Sequence, residues 1–266
     1  MRLSASNIGW KNQYDARMYE WMAQNGIEGL EIAPTRILVE NPYDNITDAK
    51  RFAASLSDRY GLKISSMQSI WYGRQENIFA SKQERDILMQ YTKKAINFAE
   101  AIDCGNLVFG CPKNRNMPDE TKADEYADIA VAFFAELGEY AYSHNTVLAF
   151  EANPPVYNTN FGNTTGEAID LVKQINTPGF KLNLDAGTMI ACQEKIGLVR
   201  DNIKFVNHVH ISEPGLVPIE KRDLHFDLAK VLREGNYDGY VSLEMKTADD
   251  LQQPQKTLGY IKKVFG

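Results

Sequence analysis

The sequence predicts an α/β protein with one domain, a (β/α)8 TIM barrel over residues 1–266. Two observations predict this fold class. Short apolar runs alternate with longer segments whose apolar residues recur every three or four positions, as expected for strands that alternate with helices. About eight such βα units fill the 266 residues, close to the ~250 residues typical of this barrel. An open doubly wound sheet would use the same alternation, but no G-x-G-x-x-G of a dinucleotide-binding fold follows the first strand.

The strand candidates are short apolar runs, and none of them contains proline. They are Leu3–Ile8, Gly29–Ala33, Leu62–Ile70, Asn106–Cys111, Thr146–Glu151, Phe180–Asp185, Lys204–Ile211 and Tyr240–Met245. The helical period is clearest from Ile87 to Ile102 and from Tyr126 to Tyr140, where apolar side chains share one face. Glycines stand at several helix-to-strand joints, where the left-handed C-cap position favours them. These are Gly26, Gly61, Gly105, Gly179 and Gly235.

Composition and charge exclude several classes of protein. With 29 basic and 35 acidic residues the net charge is −6, and no basic run offers a surface for nucleic acid. No run approaches the ~18 apolar residues of a membrane span, and the N-terminus lacks the apolar region of a signal peptide. Cys104, Cys111 and Cys192 are scattered without a C-x-x-C pair, which suits a reducing cytosol. We therefore expect a cytoplasmic protein that binds neither nucleic acid nor membrane.

Four consecutive strand candidates end in a side chain that a buried parallel strand should not carry. Parallel strands covered on both faces should be almost continuously apolar. The side chains at or next to these four ends are Glu151, Asp185, His210 and Glu244. In a barrel all four side chains would lie at the C-terminal rim, where catalytic groups come from the ends of different strands. One such residue is usually a helix N-cap, a salt-bridge partner or a structural histidine, but the pattern on four successive strands favours a shared site.

The chemistry of this set indicates a metal ion. Three carboxylates buried together repel one another and shift each other's pKa strongly unless a cation neutralises them. Three carboxylates and one imidazole form a set dominated by oxygen, which suits Mn²⁺, Mg²⁺ or Co²⁺ better than a thiolate-type Zn²⁺ site. We therefore expect one divalent ion, with Mn²⁺ as the first choice and Mg²⁺, Co²⁺ or Zn²⁺ as alternatives.

The segments around these positions are Phe150-Glu151-Ala152-Asn153-Pro154, Leu184-Asp185-Ala186-Gly187-Thr188, His208-Val209-His210-Ile211-Ser212-Glu213 and Ser242-Leu243-Glu244. They resemble motifs of the xylose isomerase-like TIM barrel superfamily, which includes ketose 3-epimerases, hydroxypyruvate isomerases, inosose dehydratases and apurinic endonucleases. The resemblance implies a divalent metal held by Glu151, Asp185, His210 and Glu244. It also implies that Glu151 and Glu244 form the acid–base pair, as the matching glutamates do in ketose 3-epimerases.

Three positions differ from the ketose 3-epimerase pattern. Tyr157 stands where those enzymes carry a second Glu, Thr188 stands where they carry a His, and Pro214-Gly215-Leu216 replaces an Arg after the Ser-Glu pair. Asp223-Leu224-His225 is similar to a ligand pair of the endonucleases, but 4 histidines are too few for their metal cluster. We interpret His225 as a substrate contact or a support of the site, with a plain helix N-terminus as the alternative.

Further candidates for substrate contacts lie in or beside the loops after the predicted strands. Sugar sites combine directed polar groups with aromatic faces, and Trp10, Trp71 and Tyr157 occupy such loops. The polar candidates are Glu31, Gln68, Lys113, Arg115, His208 and Glu213. Each candidate has an ordinary structural role as its alternative: a packing anchor, a rim hydrogen bond, a solvated charge or a buried layer residue.

The expected function is that of a metal-dependent isomerase or epimerase of a small sugar or sugar-like hydroxy-carbonyl compound, working through a metal-stabilised enediolate. A dehydratase of the inosose dehydratase type is the first alternative, because the same enolate can lose hydroxide instead. A metal-bearing sugar-binding or accessory protein is the second, because Tyr157 and Thr188 depart from the epimerase pattern. The sequence does not specify the sugar, and it leaves open whether the chain forms a homo-oligomer.

Overall fold

The computed structural model describes residues 1–266, and its strands close into a parallel barrel in sequence order. Each strand pairs with the next, and β8 pairs with β1. The strands are β1 Arg2–Ser6, β2 Gly29–Ile32, β3 Lys63–Met67, β4 Leu107–Phe109, β5 Leu148–Glu151, β6 Phe180–Asp185, β7 Val206–Ile211 and β8 Tyr240–Leu243. Seven strands lie within a run predicted from the sequence, and β1 begins one residue before its run, at Arg2. The predicted (β/α)8 barrel is confirmed.

Helices cover the outside of the barrel. They are α1 Asp15–Gln24, α2 Pro34–Ile37, α3 Ile46–Tyr60, α4 Lys82–Ala101, α5 Ala123–Ser143, α6 Thr165–Ile175, α7 Ala186–Ala191, α8 Gly197–Asn202, α9 Asp223–Glu234 and α10 Gln252–Phe265. The two segments with the clearest helical period form α4 and α5, the longest helices at 20 and 21 residues. None of the helices combines the length and the apolar character needed to cross a membrane.

Strands β3 and β4 are shorter than the sequence predicts. β3 ends at Met67 and β4 at Phe109, because the backbone soon turns into the left-handed region at Ser69 (φ 53°) and Cys111 (φ 30°). An L residue rarely adopts that conformation, and a strand cannot continue through it. The residues after these two strands therefore form loops at the C-terminal rim instead of extending the sheet.

The predicted glycine caps are correct at only some of the helix ends. Gly26 and Gly61 adopt the left-handed conformation, with φ of 68° and 67°. Near the other three joints a neighbouring residue takes that conformation, namely Asp103, Asn176 or Asn236. Asn and Asp tolerate the left-handed region because their short polar side chains can hydrogen-bond locally.

The inside of the barrel contains buried polar side chains that bond to one another. Branched apolar residues usually fill this space. Here the side-chain amide of Gln68 donates to Ser6 Oγ at 2.7 Å and to Glu31 Oε1 at 3.1 Å. Deeper in the barrel, Asn106 donates to Ser66 Oγ at 2.9 Å. Buried polar groups that bond to one another in this way are held in fixed orientations. Gln68 lies at the strand ends, because it directly follows β3.

Candidate metal centre

The ends of β5 to β8 bring the four predicted ligands together. Glu151 and Asp185 are the last residues of β5 and β6, His210 lies in β7, and Glu244 directly follows β8. One ligand atom from each residue lies within 4.8 Å of those of the other three. None of the four is more than 8% exposed. The parallel register explains the proximity, since it places Asp185 beside His210 and Glu151 beside Asn183.

The ring of His210 is held between carboxylates on both of its nitrogens. Its Nδ1 lies 2.9 Å from Glu151 Oε1 and 3.4 Å from Glu244 Oε2. Its Nε2 lies 2.8 Å from Glu31 Oε2. Metal-binding histidines typically use one nitrogen for the ion and donate the other N–H to a carboxylate, which sets the tautomer. The geometry allows His210 to offer Nδ1 to an ion while Glu31 holds Nε2.

Glu31 therefore has a different position from the one expected for a substrate contact. It lies in β2 beneath His210, is fully buried, and also lies 3.1 Å from His208 Nε2. His208 is 1% exposed and belongs to the same buried layer. This position matches the alternative given for it, a buried layer residue, rather than a substrate contact. The signal that could have identified Glu31 as a partner of His210 is its place inside a strand whose other residues are apolar.

Burial and charge shift the protonation equilibria of this cluster in opposite directions. Burial raises the pKa of Glu151 and of Asp185. Burial alone would lower the pKa of His210, but the charges of Glu31 and Glu244 raise it well above its ordinary value. Burial alone would raise the pKa of Glu31, but His210 and His208 bring it well below its ordinary value. Protons and cations thus compete for the same negative cluster.

Asp185 and Glu151 are held in place by neighbouring donors. Asp185 Oδ2 accepts hydrogen bonds from the backbone N–H and the hydroxyl of Thr188, at 2.8 and 2.9 Å, and Asp185 Oδ1 accepts one from Ser212 Oγ. Thr188, which departs from the epimerase pattern, is thus a support for Asp185. On the other side, Asn183 Nδ2 donates to Glu151 Oε1 at 2.8 Å.

The residues present fit a divalent cation. Three carboxylates around one imidazole leave a surplus of negative charge in a buried site, which a divalent ion would offset. The oxygen-rich donor set suits a hard cation. Position 110 beside the cluster has room for glycine but not for a side chain, because a Cβ added at Gly110 would lie only 2.8 Å from Glu151 Oε2. A side chain at position 110 would displace that carboxylate.

A cavity of about 220 Å³ opens above the cluster, and we call it the central cavity. Its walls include Glu151, Asp185 and Glu244, together with Gln68 and Tyr157. The two last residues were predicted as substrate contacts, and the structure places both beside the carboxylates. Tyr157 Oη accepts a hydrogen bond from the N–H of Gly215 at 2.9 Å. The hydroxyl hydrogen of Tyr157 therefore remains available to a ligand.

Strained backbone is concentrated at the central cavity. Among residues other than glycine with positive φ, only Ser69, Cys111 and Leu216 are not Asn, Asp or Gln, and all three line this cavity. Such conformations cost on the order of 1–3 kcal/mol each and cluster at binding and active sites. Burial raises the pKa of Cys111 to about 12, so its thiol is not a nucleophile at neutral pH. The strain supports a binding role for this cavity, and the sequence offered no signal for it.

The structure does not bring the two tryptophans to the cavity. Trp71 is 2% exposed, donates its ring N–H to Thr92 Oγ1 at 2.8 Å and packs edge-on against Phe109. Trp10 is 1% exposed and donates its ring N–H to Asp15 Oδ1 at 2.8 Å. The expectation that they touch substrate therefore does not fit their positions, and both are packing anchors.

Arg115 and Lys113 also lie outside the cavity. Arg115 is fully buried, and its Nη1 donates to the backbone oxygen of Glu151 at 2.9 Å while its Nη2 donates to Asn153 Oδ1 at 2.8 Å. Its guanidinium lies 4.5 Å from the centre of the Phe150 ring, and burial lowers its pKa to about 10. Arg115 thus fixes the end of β5 from behind. Lys113 is exposed and lines no part of the central cavity.

Glu213 and His225 face the helices rather than the cavity. Glu213 is 1% exposed and accepts two hydrogen bonds from Arg222, at 2.7 and 2.6 Å. His225 is fully buried in α9, and its Nδ1 lies 3.0 Å from the hydroxyl of Tyr260 in α10. Both residues join outer elements, so a direct substrate contact does not fit either position.

Fold and site together define a TIM-barrel protein with a candidate metal centre at its C-terminal rim. Residues 19–264 match the family model described as xylose isomerase-like TIM barrel, and the chain belongs to this family. No curated protein matches the chain.

Solved structures of similar fold cover nearly the whole chain. D-psicose 3-epimerase from Clostridium cellulolyticum H10, solved with D-tagatose, has a TM-score of 0.81 at 16% identity and covers 100% of this chain and 99% of its own. The 3-keto-D-glucoside 4-epimerase of E. coli gives 0.78 at 18%, with 99% of both chains covered. An AP endonuclease of family 2 from Brucella melitensis gives 0.76 at 19%, again with 99% of both chains. At these identities the similarity shows the fold.

Proposed function

We propose that the protein is a divalent-metal-dependent isomerase or epimerase of a small sugar or sugar-like hydroxy-carbonyl compound. The observation that carries the proposal is the convergence of three buried carboxylates and His210 at the strand ends, where the three carboxylates line the central cavity. The similarity in fold to a D-psicose 3-epimerase and a 3-keto-D-glucoside 4-epimerase supports the same chemistry.

Glu151, Asp185, His210 and Glu244 would hold the ion. A divalent cation supplies Lewis acidity, which polarises a carbonyl and acidifies the neighbouring C–H. Asp185 is suited to a fixed ligand role, because Thr188 and Ser212 occupy its oxygens. His210 is suited to the same role, because Glu31 restrains its ring.

Glu151 and Glu244 are the groups suited to move a proton. Glu151 ends β5 and Glu244 follows β8. Two other strands separate β5 from β8, so the two carboxylates approach the cavity from different strands. Inversion of a carbon centre needs a base on one face and an acid on the other, each within hydrogen-bond reach. Burial raises the pKa of Glu151 in the metal-free protein. A bound ion would lower that pKa but would also acidify the C–H of the substrate, so a ligating carboxylate can still serve as the base.

Tyr157 and Gln68 are suited to orient hydroxyl groups of the substrate. The oxygen of Tyr157 already accepts the N–H of Gly215, so its O–H is free to donate to a hydroxyl oxygen of the substrate. The amide of Gln68 is fixed by Ser6 and Glu31. Orienting groups of this kind hold the reacting carbon in position, which contributes to rate by proximity.

Hydrogen exchange tests the proposal. Protein loaded with Mn²⁺ is incubated in D₂O with D-fructose, D-psicose, D-tagatose and L-ribulose, and the sugars are analysed by NMR. We expect deuterium on the carbon next to the carbonyl of at least one ketose, together with a new isomer. A new enone absorbance would indicate the dehydratase instead. Saturable binding without exchange would contradict an enzymatic role and favour a sugar-binding protein.

A further inference from the structure

A second and larger cavity adjoins the central one on the side of β1 to β3. Its volume is about 670 Å³, and we call it the lateral cavity. Ile8 and Ser69 line both cavities, so the two spaces meet at these side chains. A monosaccharide held at the carboxylates would fill the central cavity of about 220 Å³ and leave the lateral one open. Ligand pockets typically span ~300–1,000 Å³, and the central cavity alone falls below that range.

Two strongly exposed apolar side chains line the lateral cavity. Val39 and Tyr72 are 81% and 71% exposed, the highest values among the large apolar side chains of the chain, and both line this cavity. An exposed aromatic side chain at the edge of a polar cavity offers a flat face to the C–H surface of a sugar ring.

The position of Tyr72 depends on the strained turn after β3. Ser69 has a φ of 53°, and its carbonyl accepts the N–H of Tyr72 at 2.9 Å. This turn directs Trp71 into the core and Tyr72 outward to the cavity. The strained turn at Ser69, which lines both cavities, thus presents the ring of Tyr72 at the lateral cavity. Strain of this kind is retained where surrounding structure and function require it.

The two arginines that line the lateral cavity, Arg36 and Arg74, are already paired with carboxylates, which argues against an anionic ligand. Arg36 donates to both carboxylate oxygens of Asp15, at 3.1 and 2.7 Å. Arg74 forms a bidentate pair with Glu76. The remaining polar lining includes the hydroxyl of Thr35 and the amide of Asn41, groups that suit sugar hydroxyls.

We propose that the lateral cavity is a subsite for a neutral glycosyl group attached to the reacting sugar, so that the substrate is a glycoside or disaccharide-like compound. This proposal rests on the proposed function, because it places the reacting end of the substrate at the carboxylate cluster. It predicts that affinity increases when an uncharged sugar unit is added to a ketose, and that Tyr72 supplies much of the increase.

Calorimetric titration of the Mn²⁺-loaded protein tests the subsite. The probes are D-fructose, its glycosylated forms lactulose and palatinose, and D-fructose 6-phosphate. We expect at least one glycosylated form to bind at least about tenfold more tightly than D-fructose. Tyr72→Ala should remove about three- to tenfold of this gain, the range of an aromatic contact, and leave the affinity for D-fructose unchanged. The matched control is Tyr142→Ala, since Tyr142 is 60% exposed on the outer helix α5.

Several results would overturn the subsite. These are equal affinity for D-fructose and both glycosylated forms, absence of binding by both glycosylated forms, or tightest binding of the phosphate. A dimer that dissociates on Tyr72→Ala, measured by sedimentation, would also overturn it and assign the exposed surface to a second copy of the chain. Deuterium exchange, measured on the free ketoses and on the glycosylated forms, decides the proposed function separately. Exchange without a glycosyl preference rejects only the subsite, whereas a glycosyl preference without any exchange rejects the enzymatic function.

Discussion

The two halves of the barrel contribute differently to the candidate site. Strands β5 to β8 each end in, or lead directly to, a carboxylate or imidazole that faces the others within 4.8 Å. Strands β1 to β4 provide no ligand of that set. They supply Glu31 beneath His210, Gln68 on the cavity wall, and the strained turn at Ser69, which lines both cavities. The candidate ligands thus all come from one half, whereas the other half contributes only support and shape.

This difference explains which residues can be recognised from sequence. A charged residue that interrupts an apolar strand carries a desolvation cost, and four such interruptions in succession require a common explanation. A residue in a loop that forms the cavity wall carries no such desolvation cost. Its place depends on backbone turns that composition and periodicity do not encode.

The largest effect that tests this division concerns Trp71 in the first half. Trp71→Ala should lower the free energy of unfolding by about 3–5 kcal/mol, as for large aromatic truncations in a core, because the ring is buried against Phe109 and bonded to Thr92. Denaturant unfolding measures the change. The neighbouring Tyr72→Ala serves as control and should change stability by less than about 0.5 kcal/mol, as an exposed position does. A stable Trp71→Ala protein with weakened sugar affinity would place Trp71 at the site instead.

In the second half, the largest effect concerns turnover. Glu151→Gln and Glu244→Gln each keep the shape of the side chain and remove the proton acceptor. We expect each to reduce turnover on the identified ketose by at least ~10²-fold, the lower range for a positioned acid or base. The metal content of both variants is measured alongside, because loss of the ion would imitate loss of the base. Near-full turnover in a metal-replete variant would reject the proton-transfer role of that residue.

Glu31 connects the two halves, and its replacement should have an intermediate effect. Glu31→Gln removes the carboxylate that holds His210 Nε2 at 2.8 Å. Partners of this kind typically change metal affinity by about 10–100-fold, and a Mn²⁺ titration followed by EPR measures the loss. Glu213→Gln is the matched control, since Glu213 is equally buried and also paired with a cationic partner, Arg222. It should leave Mn²⁺ affinity unchanged, and equal losses in both variants would contradict a specific role for Glu31.

The smallest effect is a pH-dependent change in thermal stability. Glu151, Asp185 and His210 have raised pKa values in the fold. Such groups stabilise the fold below their unfolded pKa values, and the contribution is lost as pH rises through the folded values. The lowered pKa of Glu31 acts oppositely, and its contribution is lost as pH falls below ~4.3. The metal-free protein should therefore lose stability as pH rises above ~6.5, where the histidine of the unfolded chain gives up its proton while the folded His210 keeps it.

Mn²⁺ should offset the loss of stability at higher pH. At about 100 times its Kd, a bound ion adds ~2.7 kcal/mol, which corresponds to about 5–10 °C in Tm for a protein of this size. The gain at a fixed Mn²⁺ concentration should be larger at pH 8 than at pH 6, because the ion displaces protons. Scanning calorimetry of metal-free and loaded protein measures both values. A metal-free Tm that rises from pH 6 to pH 8 would contradict this account of the cluster.

Much of the fold could be predicted, because the spacing of the apolar residues and the length of the chain together indicate eight βα units. The eight apolar runs all contain strands, and the ligand candidates follow from the same runs. The loops could not be predicted in the same way. Trp71 and Tyr72 are adjacent aromatic residues, and only the turn at Ser69 decides that one lies in the core and the other at the lateral cavity.

Arg115 shows a second limit of sequence reasoning. A basic residue in a rim loop is typical of an anion contact or a solvated surface. In the structure the Arg115 guanidinium lies on Phe150 and donates to the backbone of Glu151. Its burial depends on contacts between residues far apart in the chain, which no local pattern indicates.

The central claim is that the ends of β5 to β8 form a single site for a divalent cation, and metal content tests it most directly. Wild-type protein and the Asp185→Asn variant are loaded with Mn²⁺, desalted and analysed for bound metal, with circular dichroism to confirm that both are folded. Asp185→Asn removes one charged ligand while keeping a side chain of the same size. We predict about one ion per wild-type chain, as expected for one four-ligand set, and little or none in the variant. Equal metal content in the two folded proteins, whether high or low, would contradict the claim.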